Sequence, residues 1–99
     1  MFFSKDSSFE WDERKNKANE KKHGISFSEA MTVFDDDNAL FKYDPDNSQD
    51  EDRFIILGMS RNPHLLVVCH CYKESDEIIR IISARTASSS EKEQYGGQF

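Results

Sequence analysis

The fold is decided by one stretch, Glu77-Ile-Ile-Arg-Ile-Ile-Ser-Ala-Arg85. Its isoleucines occupy both faces of any strand built there, because successive side chains in a strand point to opposite sides. This pattern predicts a central strand that is covered above and below. In a regular strand Arg80 shares a face with Ile78 and Ile82, whereas Arg85 points the other way. Each guanidinium stays charged, so each arginine requires an acidic neighbour or an external anion.

The composition indicates one small, acidic domain. The chain has 99 residues, 36% of them hydrophobic and 32% charged, and a formal net charge of -6. This length supports a single modest core. The net charge argues against nucleic-acid binding through bulk electrostatics. The charge is polarised, however: five of the 19 acidic residues lie in the acidic segment, residues 44–52, whereas residues 14–22 hold five basic residues and one glutamate.

The apolar runs bear on the location of the protein, and the two cysteines bear on disulfide formation and metal binding. No apolar run approaches the length of a membrane span and the first residues lack the features of a secretory signal, so we expect a soluble, cytoplasmic protein. Cys69 and Cys71 share one strand face and cannot easily bridge each other, which predicts reduced core thiols. A metal site using both thiols with His23, His64 or His70 is the alternative. Zinc sites usually have two to four residues between paired cysteines, whereas one residue separates Cys69 from Cys71, so we predict no metal and no cofactor. His70 lies in mid-strand and is expected to be a hydrogen-bonded core residue.

The chain divides into one domain with polar ends. Residues 1–8 and 96–99 lack apolar periodicity and are predicted to be flexible termini, which leaves a single domain over residues 9–95. Phe9 and Trp11 alternate along the chain, as expected for a short strand with one buried face.

Two helices are predicted next. The first has Asp12 as N-cap and ends at Gly24, and its main apolar residue is Ala18. The second begins with a capping box formed by Ser26 and Glu29. The i, i+3, i+4, i+7 spacing predicts a core-facing stripe made by Phe27, Ala30, Met31 and Phe34.

Four strands and a short helix complete the prediction. The strands are expected over residues 39–43, 53–60, 65–72 and 77–85, and the last three form an antiparallel meander. The acidic segment is a solvated loop, and Ser88 starts a short helix that runs to about Tyr95. The fold class is therefore α+β: a small antiparallel sheet of about four to five strands, with two N-terminal helices on one face and a short C-terminal helix.

A set of motifs runs in order through residues 9–95. The set consists of Phe9-Glu-Trp-Asp12, Lys22-His-Gly24, Phe27-x-x-Ala30, Val33-Phe-Asp35 and Ile79-Arg-Ile-Ile-Ser-Ala-Arg85, together with Lys15, Asn19, Arg53, Gly58, Glu91 and Tyr95. Together these motifs resemble the BrnT family of type II toxins. The resemblance is specific because it rests on many positions at fitting spacings.

The resemblance implies both a fold and an activity. It implies a RelE-like fold and a bacterial endoribonuclease that cleaves RNA without a metal and inhibits translation. It also implies neutralisation by a BrnA-type ribbon-helix-helix antitoxin, with operator DNA bound only through the toxin–antitoxin complex. The expected assembly is a dimer, or a complex of two toxins with two antitoxins, and no membrane partner is implied.

The chemistry of RNA cleavage selects candidate residues. Without a metal, cleavage requires a base for the 2′-hydroxyl proton, cations around the transition state and an acid for the leaving 5′-oxygen. Arginine suits the cationic role because its planar fork matches phosphate oxygens. The candidate catalytic residues are Lys22, His23, Arg53, Arg80 and Arg85. The candidate RNA-binding residues are Lys15, Arg61, His64 and Tyr95.

Structural alternatives apply to the two arginines of the Ile-rich stretch and to the chain as a whole. Arg80 could instead form an ion pair with Glu74, Glu77 or a helix carboxylate, and Arg85 could be a solvated strand end. At most one of the two contacts the substrate directly, unless a bulge near Ser83 turns Arg85 onto the face of Arg80. The alternative function is a non-catalytic module that binds a protein or RNA.

Overall fold

The computed structural model describes residues 8–96, so the predicted flexible ends lie almost wholly outside the described residues. The strands are β1 (Ser8–Glu10), β2 (Leu40–Tyr43), β3 (Phe54–Met59), β4 (Leu65–Lys73) and β5 (Ile78–Thr86). The α-helices are α1 (Glu13–His23), α2 (Phe27–Thr32) and α3 (Ser89–Gly96). The predicted α+β class and the order of the elements are confirmed. Among residues 8–96, no helix is long and apolar enough to cross a membrane.

The strands form one mixed sheet with the order β1-β5-β4-β3-β2. Strands β2 to β5 pair antiparallel, as predicted, but β1 runs parallel to β5 with Phe9 opposite Ile79. The prediction of a purely antiparallel sheet was therefore wrong for this edge. The alternation of Phe9 and Trp11 could not fix the direction of pairing, because both directions bury the same face of β1.

The Ile-rich strand β5 is not the centre of the sheet, which is β4. Ile81 is 1% exposed, but Ile78, Ile79 and Ile82 are only half-buried. The prediction of cover on both faces was wrong, because α1 and α2 pack against only one face of β5. On the other face Ile82 borders cavities that charged side chains also line.

The main core lies between the sheet and the two N-terminal helices. We call this side of the sheet the helix face; its buried residues include Phe9, Trp11, Phe27, Ala30, Val33, Ile56, Leu66, Val68, Ile81 and Ala84. The stripe predicted for α2 is confirmed, since Phe27 and Ala30 are fully buried and Met31 and Phe34 pack against the same core. A smaller cluster on the opposite face contains Leu57, Val67, Ala87 and Tyr95 of α3.

Local signals set the ends of the helices as predicted. The Asp12 side chain accepts a 2.8 Å hydrogen bond from the Arg14 amide, and Gly24 ends α1 in the left-handed region at φ 74°. The Ser26 hydroxyl accepts a 3.1 Å hydrogen bond from the Glu29 amide at the start of α2. Both ends of α1 and the start of α2 therefore lie within two residues of the predicted positions.

A buried amide, rather than an apolar stripe, attaches α1 to the sheet. Ala18 is exposed, whereas Asn19 is 9% exposed. Asn19 donates to the carbonyls of Ala84 at 2.8 Å and Ile25 at 3.0 Å, and it accepts from the Ala84 amide at 3.1 Å. Because β1 pairs with β5 only as far as Arg80, Asn19 satisfies the β5 backbone beyond the end of β1.

Candidate functional site

Strand β5 contains a bulge at Ile82. Cys69 pairs with Ser83 and the next residue of β4, His70, pairs with Ile81, so Ile82 is the extra residue on β5. An extra residue on one strand reverses the alternation of side chains beyond it. The bulge lies one residue from Ser83, the position near which a bulge would turn Arg85 onto the face of Arg80.

The bulge brings the arginines to one face of the sheet. Ile81 and Ala84 both lie in the core under the helices, although a regular strand would place them on opposite faces. Arg80 and Arg85 consequently both lie on the face away from α1 and α2. Arg53 precedes β3 and lines a cavity with Arg85 on that side. We call this side of the sheet the arginine face.

Arg53 and Arg85 line a cavity of about 200 Å³ on the arginine face. The remaining lining residues are Asp44, Asn47, Ile55, Val67, Cys69, Ile82 and Ser83. Asp44 supplies the carboxylate of this cavity and accepts a 2.8 Å hydrogen bond from the Asn47 amide. The cavity therefore combines two guanidinium groups, one carboxylate and an apolar floor.

Arg53 is the least committed of the three guanidinium groups on the arginine face. Its Nε atom is buried and has no hydrogen-bond partner among residues 8–96, and the nearest carboxylate oxygen, Glu51 Oε2, lies 3.7 Å away. Glu51 is itself paired with the Lys73 ammonium group. An unsatisfied buried donor is costly, so Arg53 favours the approach of an additional acceptor.

Arg85 is held by Glu91 at the start of α3. Both guanidinium Nη atoms donate to the Glu91 carboxylate, at 2.7 Å and 2.9 Å. The hydrogen bonds from Arg85 lower the pKa of Glu91 to about 2. The alternative that Arg85 is a merely solvated strand end was therefore wrong.

Arg80 is paired with Glu10 of the neighbouring strand β1. The two residues lie opposite each other in the parallel register, and Arg80 Nε and Nη2 both donate to Glu10 Oε2. The partner is thus not Glu74 or Glu77, as the sequence suggested. Lys15 and Arg80 line a second cavity of about 310 Å³ at the N-terminal end of α1, together with the carboxylates of Asp12 and Glu13.

Three other predicted residues lie away from the cavity of Arg53 and Arg85. Lys22 and His23 are exposed in the last turn of α1 and do not line that cavity. Tyr95 is half-buried in α3 and donates a 2.7 Å hydrogen bond to Asp36 Oδ2, which raises the Tyr95 pKa to about 12. This bond fixes α3, and with it Glu91, against the sheet.

The turn between β3 and β4 places its predicted residues next to α2. Arg61 lies 3.6 Å from Asp35, with both side chains exposed. Glu29 Oε2 lies 2.6 Å from both Ser60 Oγ, which donates to it, and His64 Nδ1. Burial raises the pKa of Glu29, but the hydrogen bonds from Ser60 and His64 outweigh it and lower the pKa. Arg61 and His64 therefore face helix carboxylates rather than the three arginines.

The surroundings of the Cys69 and Cys71 thiols and of the His70 imidazole indicate structural rather than catalytic roles. Cys69 is half-buried, Cys71 is buried and both are free; burial raises the pKa of each thiol, which disfavours the nucleophilic thiolate. His70 is 0% exposed and contacts the Val68 carbonyl and the Tyr72 hydroxyl, so its predicted core role is confirmed. Among residues 8–96, no group of three or more His, Cys, Asp or Glu side chains is arranged to hold a metal ion.

Sequence reasoning missed the acidic members of the site. Glu10 alternates with Phe9 and Trp11, so its position on the arginine face was readable, but its pairing with Arg80 required the parallel register. The helix start at Ser88-Ser-Ser-Glu91 was predicted, and Glu91 accepts a 2.8 Å hydrogen bond from the Ser88 amide there. The pairing of Glu91 with Arg85 was not predicted. Asp44 gave no signal, because it is one of several acids in the acidic segment.

Two comparisons with known proteins give matches, one to a family and one to a solved structure. A family model described as "Ribonuclease toxin, BrnT, of type II toxin-antitoxin system" matches residues 11–91. The crystal structure of the Brucella abortus ribonuclease toxin, BrnT, is similar with a TM-score of 0.58 and 27% sequence identity, covering 80% of this chain and 94% of that chain. No curated protein sequence gives a significant match.

Proposed function

Since this chain belongs to the BrnT family of ribonuclease toxins of type II toxin–antitoxin systems, we propose that it cleaves RNA on the arginine face. The observation that carries the proposal is the bulge at Ile82, which brings Arg80 and Arg85 to the side of the sheet that also holds Arg53. Three guanidinium groups on one face offer binding sites for successive phosphates of a single strand.

The scissile phosphate is proposed to bind between Arg53 and Arg85. Attack of the 2′-hydroxyl oxygen on phosphorus forms a cyclic phosphate and breaks the bond to the 5′-oxygen, and charge accumulates on the non-bridging oxygens. Arg53 supplies a guanidinium for these oxygens, because its Nε lacks a hydrogen-bond partner within residues 8–96 and its ion-pair partner, Glu51, lies 3.7 Å away. Arg85 is oriented in advance by Glu91, so little reorganisation is required in the transition state.

Proton transfer and RNA positioning are assigned to other residues around this cavity. Asp44 supplies the carboxylate of the cavity, and we propose that it accepts the 2′-hydroxyl proton. Solvent water gives a proton to the leaving 5′-oxygen, which departs as a hydroxyl group. Arg80 and Lys15, in the adjacent cavity, contact a flanking phosphate. The exposed Lys22 attracts RNA electrostatically, and the exposed His23 beside it offers a hydrogen-bonding group to the RNA.

An antitoxin partner follows from the type II family. We propose that this partner is a BrnA-type ribbon-helix-helix protein that binds operator DNA as part of the complex. The toxin is proposed to act on cellular RNA in the cytoplasm, to inhibit translation there, and to assemble as two toxins with two antitoxins. Of these statements, the family supports the antitoxin partner most directly, because a type II antitoxin is a protein that binds its toxin.

Cleavage by the purified protein tests the proposed function. The wild-type protein is expected to cut single-stranded RNA in the presence of EDTA, and Arg53→Gln and Arg85→Gln are each expected to slow cleavage about 100-fold or more. Lys17→Gln, an exposed change on α1, is the matched control and retains wild-type cleavage. Circular dichroism verifies that each variant is folded. Intact RNA after incubation with the wild type, or wild-type rates in the Arg53→Gln/Arg85→Gln double variant, would overturn the proposal.

A further inference from the structure

A row of aromatic side chains continues the helix face to the open edge of the sheet. We call Phe41, Tyr43, Phe54 and Tyr72 the aromatic edge. The ring centroids of Tyr43 and Phe54 lie 5.6 Å apart and those of Phe54 and Tyr72 lie 5.5 Å apart. Phe41 is 60% exposed and Tyr43 is 46% exposed, and these are the two exposed large hydrophobic side chains within residues 8–96.

The helices do not cover this part of the sheet. α1 and α2 lie on the same face but pack against β5, which is towards the opposite edge of the sheet from β2. The 3₁₀ turn Val33–Asp35 contacts β3. Phe41 touches that turn through Phe34, at 6.3 Å between ring centroids, but most of its surface remains in contact with solvent. Adjacent exposed aromatic rings on a small domain typically mark an interaction surface.

The backbone of β2 is also open to a partner. β2 is the last strand in the sheet order, so its outer side has no strand partner within residues 8–96. An edge strand presents unpaired N–H and C=O groups that an extended segment of another chain can bind. Phe41 and Tyr43 point to one face of β2, which supplies side-chain contacts next to these backbone groups.

Carboxylates surround the aromatic edge. A cavity of about 550 Å³ is lined by Phe54 and Tyr72 together with Glu51, Asp52, Lys73 and Asp76. Lys73 pairs with Glu51, which leaves Asp52 and Asp76 as the excess charges. Tyr43 donates a 3.2 Å hydrogen bond to Asp52 and so joins the exposed rings to this acidic rim.

We infer that the aromatic edge binds an extended, basic segment of the antitoxin, which adds to β2 and places a Lys or Arg side chain against the exposed surface of the aromatic rings, next to the Phe54–Tyr72 cavity. This inference rests on the proposed function, because it identifies the partner as the antitoxin. Charge complementarity selects the occupant: aromatic faces and carboxylates together favour a cation, and guanidinium groups stack well on aromatic rings. RNA is the disfavoured occupant, because Asp52 and Asp76 repel phosphate. The toxin therefore uses opposite faces of one sheet for RNA and for the antitoxin.

Peptide titration tests the chemistry of the surface. An octapeptide of alternating Arg and Val, measured by isothermal titration calorimetry, is expected to bind the full chain at least about tenfold more tightly than the octapeptide of alternating Glu and Val. The Phe41→Ser/Tyr43→Ser double variant is expected to lose at least about tenfold of the affinity for the Arg peptide. Lys42→Ser, on the same strand but the opposite face, is the matched control and retains it. Equal affinities for both peptides, an unaffected double variant, or displacement of the Arg peptide by octauridylate would overturn the inference.

Two activity measurements separate this inference from the proposed function. The Phe41→Ser/Tyr43→Ser variant is expected to cleave RNA at the wild-type rate, but its growth arrest is not relieved when the protein encoded beside the toxin gene is co-expressed. Relief equal to that of the wild type, or a variant that is folded but no longer cleaves RNA, would overturn the docking inference. If the wild type itself leaves RNA intact, the proposed function fails, and the peptide titration still decides whether the surface binds a basic segment.

Discussion

Glu91 holds Arg85 through both carboxylate oxygens, at 2.7 Å from Nη1 and 2.9 Å from Nη2. The same carboxylate accepts a 2.8 Å hydrogen bond from the Ser88 amide at the start of α3. One side chain thus connects the end of β5, an arginine of the proposed RNA site and the N-terminus of a helix. The negative charge of Glu91 is stabilised by the guanidinium and by the helix N-terminus.

Acid titration of Glu91 is expected to weaken the fold. Its pKa is lowered to about 2 in the folded protein from 4.5, so its contribution is present above about pH 4.5 and is lost as the pH falls towards about pH 2. Because Arg85 is partly exposed, we expect Glu91→Gln to lower the free energy of unfolding at neutral pH by only about 1–2 kcal/mol. Urea denaturation at several acidic pH values measures this, and the variant shows the shallower decline. Glu93→Gln, on the same helix, is the control; identical pH curves for Glu91→Gln and the wild type would contradict the prediction.

Removing the amide of Asn19 is expected to detach α1 from the sheet. Asn19→Ala leaves the N–H and C=O groups of Ala84 without their buried partners, which predicts a loss of about 2–4 kcal/mol in the free energy of unfolding. Equilibrium urea denaturation measures the loss. Lys17→Ala, exposed on the same helix, is expected to change stability by no more than about 0.5 kcal/mol. Similar values for the two variants would show that Asn19 is not the attachment point.

Gly58 is expected to tolerate no side chain. A Cβ atom at this position would lie 2.8 Å from Val33 Cγ1, 3.1 Å from Ala39 Cβ and 3.2 Å from Asp36 Oδ2. Gly58→Ala is therefore expected to cost about 1–3 kcal/mol through overpacking, with a lower melting temperature in differential scanning calorimetry. Gly96→Ala is the matched control, because nothing lies within 4 Å of its Cβ position. A melting temperature for Gly58→Ala equal to that of the control would contradict the close packing of β3 against the turn.

The elements of the fold were predictable where their signals are local. Asp12, Gly24 and Ser26 act on backbone groups within a few residues, so the helix ends follow from sequence. The direction of β1 relative to β5 was not predictable, because it depends on how α1 and α2 pack on the sheet and on which end of β5 they place next to β1. A bulge near Ser83 was considered as an alternative, but its presence at Ile82 could not be established from sequence, because one more isoleucine in an Ile-rich strand carries no distinct signal.

The candidate site was predictable in its cations and not in its anions. The chemistry of phosphate binding selected Arg53, Arg80 and Arg85 without any structure. Their neighbours depend on tertiary contacts: Glu10 is separated from Arg80 by 70 positions in the sequence and joins it only through the parallel pairing of β1. Choosing among the many carboxylates of an acidic chain requires the register of the sheet.

His70 is expected to make the fold sensitive to mild acid. It is 0% exposed and is surrounded by aromatic rings, with the Phe34 centroid at 4.9 Å and the Tyr72 centroid at 5.4 Å. Burial lowers its pKa, so the folded protein holds the neutral imidazole while the unfolded chain binds a proton as the pH falls below about 6.5. The His70 contribution to stability is therefore fully present at higher pH and declines with a slope of up to about 1.4 kcal/mol per pH unit below that value. The pH range in which the His70 contribution to stability is lost therefore begins higher than the range in which the Glu91 contribution is lost.

Two variants separate titration of His70 from the loss of its contacts. His70→Gln removes the titratable group, so the slope of unfolding free energy between about pH 7 and pH 5 is expected to become shallower than in the wild type. Tyr72→Phe removes the hydroxyl that contacts His70 Nε2 at 3.3 Å but keeps the imidazole, and it is expected to retain the wild-type slope while losing some stability at every pH. Urea denaturation across this range measures both slopes. If His70→Gln kept the wild-type slope, the acid sensitivity in this range would have to come from other groups, and the neutral buried imidazole would not be its cause.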